Sequence, residues 1–371
     1  MKIAIIGSRG YPYAYSAYET LVRELGERLV KQGVEVTVYC HRNLFKGRPH
    51  KLNGIDLVYL PTIERKTLSQ FLHSFQAILH ACLRGYDVIF VVNVANGPFG
   101  IFTKIFHKKT AINVDGLEWL RPKWKGLGSK YFYWAAKAAT KLYDVIITDS
   151  FEMQKVYKEG FNAASTVIAY GATIRYSKNP NVIKKWNLEK DNYYLIVGRL
   201  IPDNNTHIII REFLKSNSRK KIVFAGGALY NDYYARQIKS IDDKRVIFTG
   251  WIIDPDILAE LYHQCFAYLH GHEFGGTNPV LLEALAYGCA VIALDTEFSR
   301  EVLKDGEYGL FFNKNNDNLK ELIDKVEREP SILINYREKS RERIKENYTW
   351  DKVTHQYLEI FRKLSAPKCK R

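Results

Sequence analysis

The chain has 371 residues, 46% of them hydrophobic, 13% aromatic and 26% charged, which is enough apolar surface for two cores and too much for an intrinsically disordered chain. Lys and Arg number 55 against 40 Asp and Glu, a net charge of +15; residues 1–175 hold 24 basic against 13 acidic side chains, so the first half has an anionic partner to account for. Five scattered cysteines, Cys40, Cys82, Cys265, Cys289 and Cys369, include no C-x-x-C pair; this excludes an encoded disulfide framework or zinc site and fits a reducing cytoplasm.

In chain order, Met1-Lys2 and the apolar run after it read as a first strand rather than a leader peptide. Strands are predicted at 2–6, 34–39, 56–60, 88–92, 110–114, 145–148 and 166–169, with helical periodicity at 18–31, 68–84 and 130–143. The stretch 88–106 is the most apolar, but Asn93, Asn96, Gly97, Pro98 and Lys104 break it, well below the roughly 18 uninterrupted apolar residues of a membrane span. A polar segment, 175–192, carries Pro180 and four lysines. Beyond it the rhythm restarts, with strands predicted at 193–197, 221–225, 246–248, 266–269 and 291–293 and helices at 232–240, 256–263, 279–287 and 299–303. After Asn318 the pattern is helical throughout, at 319–328, 331–347 and 350–364, and it ends in a basic tail, Lys368 to Arg371. Alternation of this kind specifies an α/β protein of two doubly wound, Rossmann-like parallel-sheet domains. The expected domains are 1–174 and 175–348, facing a central cleft, with 349–371 crossing back to the first.

Ligands in such sheets sit beyond the carboxyl ends of the strands, so the loops there are the candidate site. The first strand runs into Gly7-Ser8-Arg9-Gly10, and Ser16-Ala17-Tyr18-Glu19 opens a helix. Two readings fit: a phosphate-binding loop using Arg9, Gly10, Ser16 and Ala17, or a turn in which Ser16 caps the helix and Glu19 completes a capping box. Past the strand at 193–197, Gly198-Arg199 either points a guanidinium at a diphosphate or places it in a surface ion pair. The segment 270–284 is more specific. Gly275, Gly276 and Thr277 follow a strand, Asn278 precedes Pro279 at a helix start, and His272, Glu273 and Glu283 flank the loop; this suits a phosphate cradle, with Glu283 accepting ribose hydroxyls. Asp115 and Glu118 follow the strand at 110–114 and can contact sugar hydroxyls or take a proton, while Asp115 before Gly116 also suits a plain turn. Asp254-Pro255-Asp256 imitates a metal-binding D-x-D motif but stands where Asp routinely caps a helix, so no metal site is assigned.

Gly198-Arg199-Leu200, the 275–279 loop and Glu283 within Leu282-Glu283-Ala284 resemble the donor site of glycosyltransferase family 4, retaining enzymes of the GT-B fold. Ser8-Arg9-Gly10-Tyr11-Pro12 with Tyr18-Glu19-Thr20, Asp115-Gly116-Leu117-Glu118-Trp119, Pro202-Asp203-Asn204-Asn205 and Gly271 to Pro279 are similar to the bacterial rhamnosyltransferases of capsule and cell-wall polysaccharide assembly. There are three departures from these patterns. Asn204 stands where family 4 commonly has lysine, Gly275 where it usually has glutamate, and Ser16-Ala17 where the subgroup has paired glycines.

The resemblance implies a metal-independent, retaining transfer of a sugar, L-rhamnose from dTDP-β-L-rhamnose, to a lipid-diphosphate-linked saccharide at the cytoplasmic face of the membrane. The nucleoside diphosphate sugar is a substrate, and no cofactor is expected. Donor-binding residues would be Arg9, Gly10, Ser16, Ala17, Gly198, Arg199, Asn204, His272, Gly275, Gly276, Thr277, Asn278 and Glu283, with Asp115, Glu118, Arg199 and Glu273 as catalytic candidates. Between Trp119 and Lys141, the basic residues Arg121, Lys123, Lys125, Lys130 and Lys137 interleave with Trp124, Leu127, Tyr131, Phe132, Tyr133 and Trp134, which suits an anionic bilayer surface; an amphipathic helix with its aromatic side in the core fits the same composition. The rival readings are a UDP-sugar donor, a sugar-nucleotide epimerase or hydrolase, and a non-catalytic nucleotide-sugar binder. Nucleic-acid binding has the charge but lacks a motif.

Overall fold

The computed structural model describes residues 1–13, 16–63, 66–121, 124, 126–228 and 233–366. The chain divides into two units: Met1–Tyr170 together with Trp350–Arg371, and Gly171–Thr349. Among the described residues no helix is long and apolar enough to cross a membrane.

The first unit is built on eight strands: β1 Lys2–Ile6, β2 Glu35–His41, β3 Lys51–Leu52, β4 Ile55–Leu60, β5 Val88–Val92, β6 Thr110–Asn113, β7 Val145–Thr148 and β8 Thr166–Val167. They lie in the order β3-β4-β2-β1-β5-β6-β7-β8, parallel except for the short β3, which is antiparallel to β4. Residues 3–6 and all of β5 are buried, as a sheet covered on both faces requires. Its helices are α1 Ala17–Lys31, α2 Lys66–Cys82, α3 Gly100–Ile105, α4 Leu127–Leu142 and α5 Phe151–Phe161. Sequence periodicity gave neither the short α3 nor α5.

The second unit has six parallel strands: β9 Tyr193–Arg199, β10 Lys221–Gly227, β11 Val246–Gly250, β12 Ala267–His270, β13 Val291–Leu294 and β14 Leu310–Phe312, ordered β11-β10-β9-β12-β13-β14. Helices α6 Thr206–Lys215, α7 Tyr233–Lys239, α8 Pro255–Gln264, α9 Pro279–Ala286, α10 Glu297–Leu303, α11 Asn318–Arg328 and α12 Ser331–Asn347 accompany it. Ile196, Phe213, Phe224, Leu269 and Ile292 sit together in its core. The polar segment after Arg175 is pinned to this unit. Buried Glu260 accepts hydrogen bonds from the Lys178 and Asn179 amides (2.5 and 2.7 Å) and the Ser177 hydroxyl (2.8 Å), and Arg175 pairs with Asp256 at 2.8 Å.

The last helix, α13 Trp350–Ser365, belongs to the first unit. Tyr357 and Phe361 meet Phe90 of β5 at ring-centroid distances of 5.2 and 5.5 Å, and the Asn113 amide donates to the Tyr357 hydroxyl at 3.1 Å.

Candidate functional site

In the second unit the chain moves from β9 to β10 and β11 on one side, then crosses to β12, β13 and β14 on the other. The crevice at such a switch point, beyond the carboxyl ends of β9 and β12, is where parallel sheets take ligands. Gly198 and Arg199 end β9, and His270 ends β12. A Cβ on Gly198 (φ +149°) would stand 3.4 Å from both His272 Cε1 and Asn204 Nδ2, so the two strand ends approach closely.

The turn at 202–205 ties them together. Asn205 Nδ2 donates to the Gly271 carbonyl at 2.9 Å and the Glu273 amide to the Asp203 carbonyl at 3.1 Å. Asn204, expected to face the donor, is 6% exposed and its amide donates to the Arg199 carbonyl at 2.8 Å. It therefore shapes the backbone that carries the guanidinium. His272 stacks on His270, with ring centroids 4.6 Å apart. Burial pulls His270 down to about 3, so it stays neutral and holds its neighbour in place.

Beyond this knot, Gly275 takes φ +120°, a conformation that side chains disfavour. Asn278 then caps α9, its side chain accepting from the Val280 amide at 3.1 Å, with Pro279 in the first turn. His272, Gly275, Gly276 and Asn278 line a cavity with Leu281 of α9 and with Phe298 and Ser299 of α10. A helix N-terminus opening on a glycine-lined cavity suits a phosphate. Thr277 is 3% exposed, while Arg199 and Glu283 are half-buried. Glu283 faces Tyr268 and Tyr287, whose phenols are pushed up by burial and then by its charge, and Tyr262, whose phenol is pushed up by burial, then by Tyr268 and then by Glu283. Glu273, read as a catalytic candidate, is engaged by Lys314 Nζ at 2.5 Å and Asn205 Nδ2 at 3.3 Å; its carboxylate fastens the loop. Lys314, 41 residues downstream, gave no sign of this in the sequence.

In the first unit, the chain turns from β1 toward β2 on one side and β5 on the other. The capping-box alternative is what forms after β1. The carboxylate of Glu19, 4% exposed, accepts from the Arg9 amide (2.9 Å), the Ser16 amide (2.8 Å) and the Ser16 hydroxyl (2.6 Å). The side chain thus takes the donors expected to meet a phosphate. Gly10 packs against Cys40, whose atoms would lie 2.7 Å from any Cβ there. Ala17 begins α1.

Asp115 lies two residues past β6 and is partly buried. It accepts from Tyr170 Oη at 2.6 Å and from Tyr18 Oη. Burial raises its carboxyl above the ordinary range, against the lowering effect of the two phenols. Tyr170 was missed because it follows a two-residue strand, β8, with no recognisable loop motif. Glu118 is bound by Arg121 at 3.0 Å and by the Trp124 indole at 2.6 Å, so it braces the loop.

The same contacts turn the first part of the expected bilayer patch inward. Trp119 packs edge-on against Tyr133, Tyr157 and Phe161, Arg121 is 14% exposed, and Trp124 packs on Phe132. Further along the same stretch Leu127, Lys130, Tyr133, Trp134 and Lys137 stand exposed. Lys123 and Lys125, like the tail from Lys368, lie outside the described residues. Asp254 caps α8 through the Asp256 amide, and among the described residues no group of three or more His, Cys, Asp or Glu is placed to hold a metal.

Residues 178–349 match the family model described as glycosyl transferases group 1, and residues 1–173 match a domain of unknown function, DUF1972. The N-acetylgalactosamine-N,N'-diacetylbacillosaminyl-diphospho-undecaprenol 4-alpha-N-acetylgalactosaminyltransferase of Campylobacter jejuni is 30% identical over 131 residues, 35% of this chain and 35% of that one. The match therefore spans about a third of that relative's length. Sucrose-phosphate synthase from Thermosynechococcus elongatus superposes with a TM-score of 0.82 at 19% identity, covering 98% of each chain. Anabaena Alr3699/HepE, solved in complex with UDP-glucose, superposes at 0.75 and 16% identity, covering 98% of this chain and 100% of that one. The chain has the GT-B fold of these structures, and its residues 178–349 are similar to the glycosyl transferases group 1 family.

Proposed function

We propose that the protein is a glycosyltransferase that moves a sugar from a nucleoside diphosphate donor to a lipid-diphosphate-linked saccharide. The observation that carries this is the meeting of the Arg199 strand end, the 271–278 loop and the N-terminus of α9 at the switch point of the second sheet, within the residues similar to the group 1 family. The Campylobacter relative, whose name specifies a diphospho-undecaprenol acceptor, supports the lipid-linked substrate. The motifs at 8–20, 115–119 and 202–205 support L-rhamnose from dTDP-β-L-rhamnose. A second reading, a UDP-sugar donor, is favoured by the UDP-glucose complex of Alr3699/HepE.

Breaking the glycosidic bond puts charge on the departing diphosphate. Arg199 and the amide end of α9, carrying about half a positive charge, would stabilise it in a site without bulk water. The acceptor hydroxyl would attack the same face of the sugar that the diphosphate leaves, with retention and no metal, while Glu283 holds the ribose. In the first unit, Asp115 would orient the acceptor or take its proton. The reaction would run at the cytoplasmic face of the membrane.

The test is product analysis with dTDP-rhamnose and UDP-glucose, each with a lipid-diphosphate acceptor, alongside calorimetry with free dTDP and UDP. Arg199→Ala is expected to lower kcat/KM for the donor by about tenfold or more, and Glu283→Ala to weaken binding of the free nucleoside diphosphate. Full turnover after chelation is expected. Unchanged kinetics and binding in both variants would remove the assignment.

A further inference from the structure

We infer that the layer made by α2, α3 and α4 is a docking surface for an anionic lipid bilayer. The inference deepens the transferase reading by naming the surface that would meet the membrane holding the acceptor, and it rests on that reading only for the presence of a lipid-linked substrate.

Charge is the first observation. The sequences of α2, α3 and α4 contain no Asp or Glu. In the same unit, α1 carries Glu19, Glu24 and Glu27, α5 carries Glu152 and Glu159, and α13 carries Asp351 and Glu359. An ordinary solvent-facing helix mixes both signs, so three neighbouring helices without a carboxylate form a face complementary to anions.

The second observation is where the exposed apolar side chains fall. Of the sixteen large apolar residues exposed among those described, nine lie between Phe71 and Trp134. On α3 and just past it, Ile101, Ile105 and Phe106 are 45%, 63% and 41% exposed. On α4, Phe132, Ala135, Ala136 and Ala139 face the core, while Lys130, Trp134, Lys137 and Lys141 are exposed at the i, i+4, i+7, i+11 spacing of a single stripe. The helices share a layer: Lys104 Nζ donates to the Lys141 carbonyl at 2.6 Å, and Phe75 of α2 packs on Phe102 of α3 at 5.5 Å.

Branched aliphatic side chains in one layer with a tryptophan and a row of lysines match the bilayer interface, where the apolar groups enter the headgroup boundary and the ammonium groups stay at phosphate level. An acidic protein partner would meet the lysines but leave Ile101, Ile105 and Phe106 without a reason to be exposed. Each lysine near an anionic leaflet strengthens binding about fivefold, so three together are worth about a hundredfold.

The experiment is co-sedimentation of the full chain with vesicles of phosphatidylcholine alone or mixed with phosphatidylglycerol. Binding is expected only to the mixed vesicles and should fall with salt. Removing the stripe charges in the triple variant Lys130→Ser, Lys137→Ser, Lys141→Ser should weaken it about a hundredfold. The double variant Ile101→Ser, Ile105→Ser should weaken it while leaving its salt dependence intact. A charge-matched control, Lys31→Ser, Lys155→Ser, Lys158→Ser on α1 and α5, should retain binding. All these side chains are exposed, and nucleoside diphosphate calorimetry on each variant checks the second unit.

Equal binding to both vesicle types would overturn the inference, as would equal losses in the stripe and control variants. So would a dimer of the free protein, seen by light scattering, that the isoleucine changes dissociate without any vesicle binding. Vesicle binding with no donor turnover would instead count against the transferase reading alone.

Discussion

Asp115 is held between two phenols, Tyr170 at 2.6 Å and Tyr18 on its other oxygen. Burial pushes its carboxyl up and the two hydrogen bonds pull it back, because a phenol donates better to the charged form. Tyr170→Phe removes one charge-assisted bond, worth about 1.5–3 kcal/mol, and the carboxyl must then titrate at higher pH. If Asp115 acts as a carboxylate on the acceptor, the acid limb of the rate profile moves up by about one pH unit or more, with donor affinity unchanged. A pH-rate profile that keeps its acid limb in place would separate Asp115 from the chemistry. A second buried pair works in the opposite direction. His41 and His73 lie with ring centroids 4.0 Å apart; burial and then Arg9 pull His41 down to about 4, and burial and then His41 pull His73 down to about 3. In the unfolded chain they take up protons near the ordinary 6.5, but in the folded chain only near those lower values. Their contribution to stability is therefore complete above 6.5 and is lost as pH falls from there through about 4 and 3. Urea midpoints should drop between pH 7 and pH 5, with a shallower slope in His73→Phe.

At the level of the loop and its helix, the parts that could be read from sequence were those encoded by neighbours in the chain. Asn278 before Pro279 specifies a helix start, and Ser16 with Glu19 specifies a capping box; both form. What could not be read depends on distant partners. Glu273 belongs to the loop in sequence, but Lys314 and Asn205 claim its carboxylate. The pair is partly exposed, at 39% and 29%, and such pairs contribute only about 0.2–1 kcal/mol. Lys314→Met should thus leave the melting temperature nearly unchanged and weaken nucleoside diphosphate binding at most about fivefold. Lys314→Arg should restore it, and failure of that rescue would mean the loop is set without the pair. Helix α6 is absent from the predicted helices because its Ile208-Ile209-Ile210 run is β-branched; its apolar positions nonetheless keep helical spacing, and Ile209, Ile210 and Phe213 are buried in the core of the second unit. Composition alone did not separate the inward-turned Trp119 and Trp124 from the outward-turned residues of α4. Basic and aromatic residues mark an interface only when a helix turns them outward, as α4 does at Lys130, Trp134, Lys137 and Lys141; Trp119 and Trp124 are packed against neighbouring rings.

Over the whole molecule the chain leaves the first unit at Tyr170 and returns to it at Trp350, so that unit is finished only when its last helix docks. The helix supplies Tyr357 and Phe361, 1% and 0% exposed, against Phe90 in the central strand β5. It also carries Asp351, paired with Arg28 of α1 at 3.0 Å. Truncating a buried aromatic side chain costs about 3–5 kcal/mol, and Tyr357→Ala additionally leaves the buried Asn113 amide without its acceptor, a further penalty of about 1–3 kcal/mol. A loss of that size is comparable to the stability of a domain. Scanning calorimetry of the full-length variant should therefore show the transition of the first unit lowered or lost, while the second unit, which contains neither residue, keeps its own transition and binds nucleoside diphosphate with unchanged affinity. If a single transition fell and carried nucleotide binding with it, the two units would be one cooperative body, and donor binding would depend on the docking of a helix that supplies no residue to the donor site.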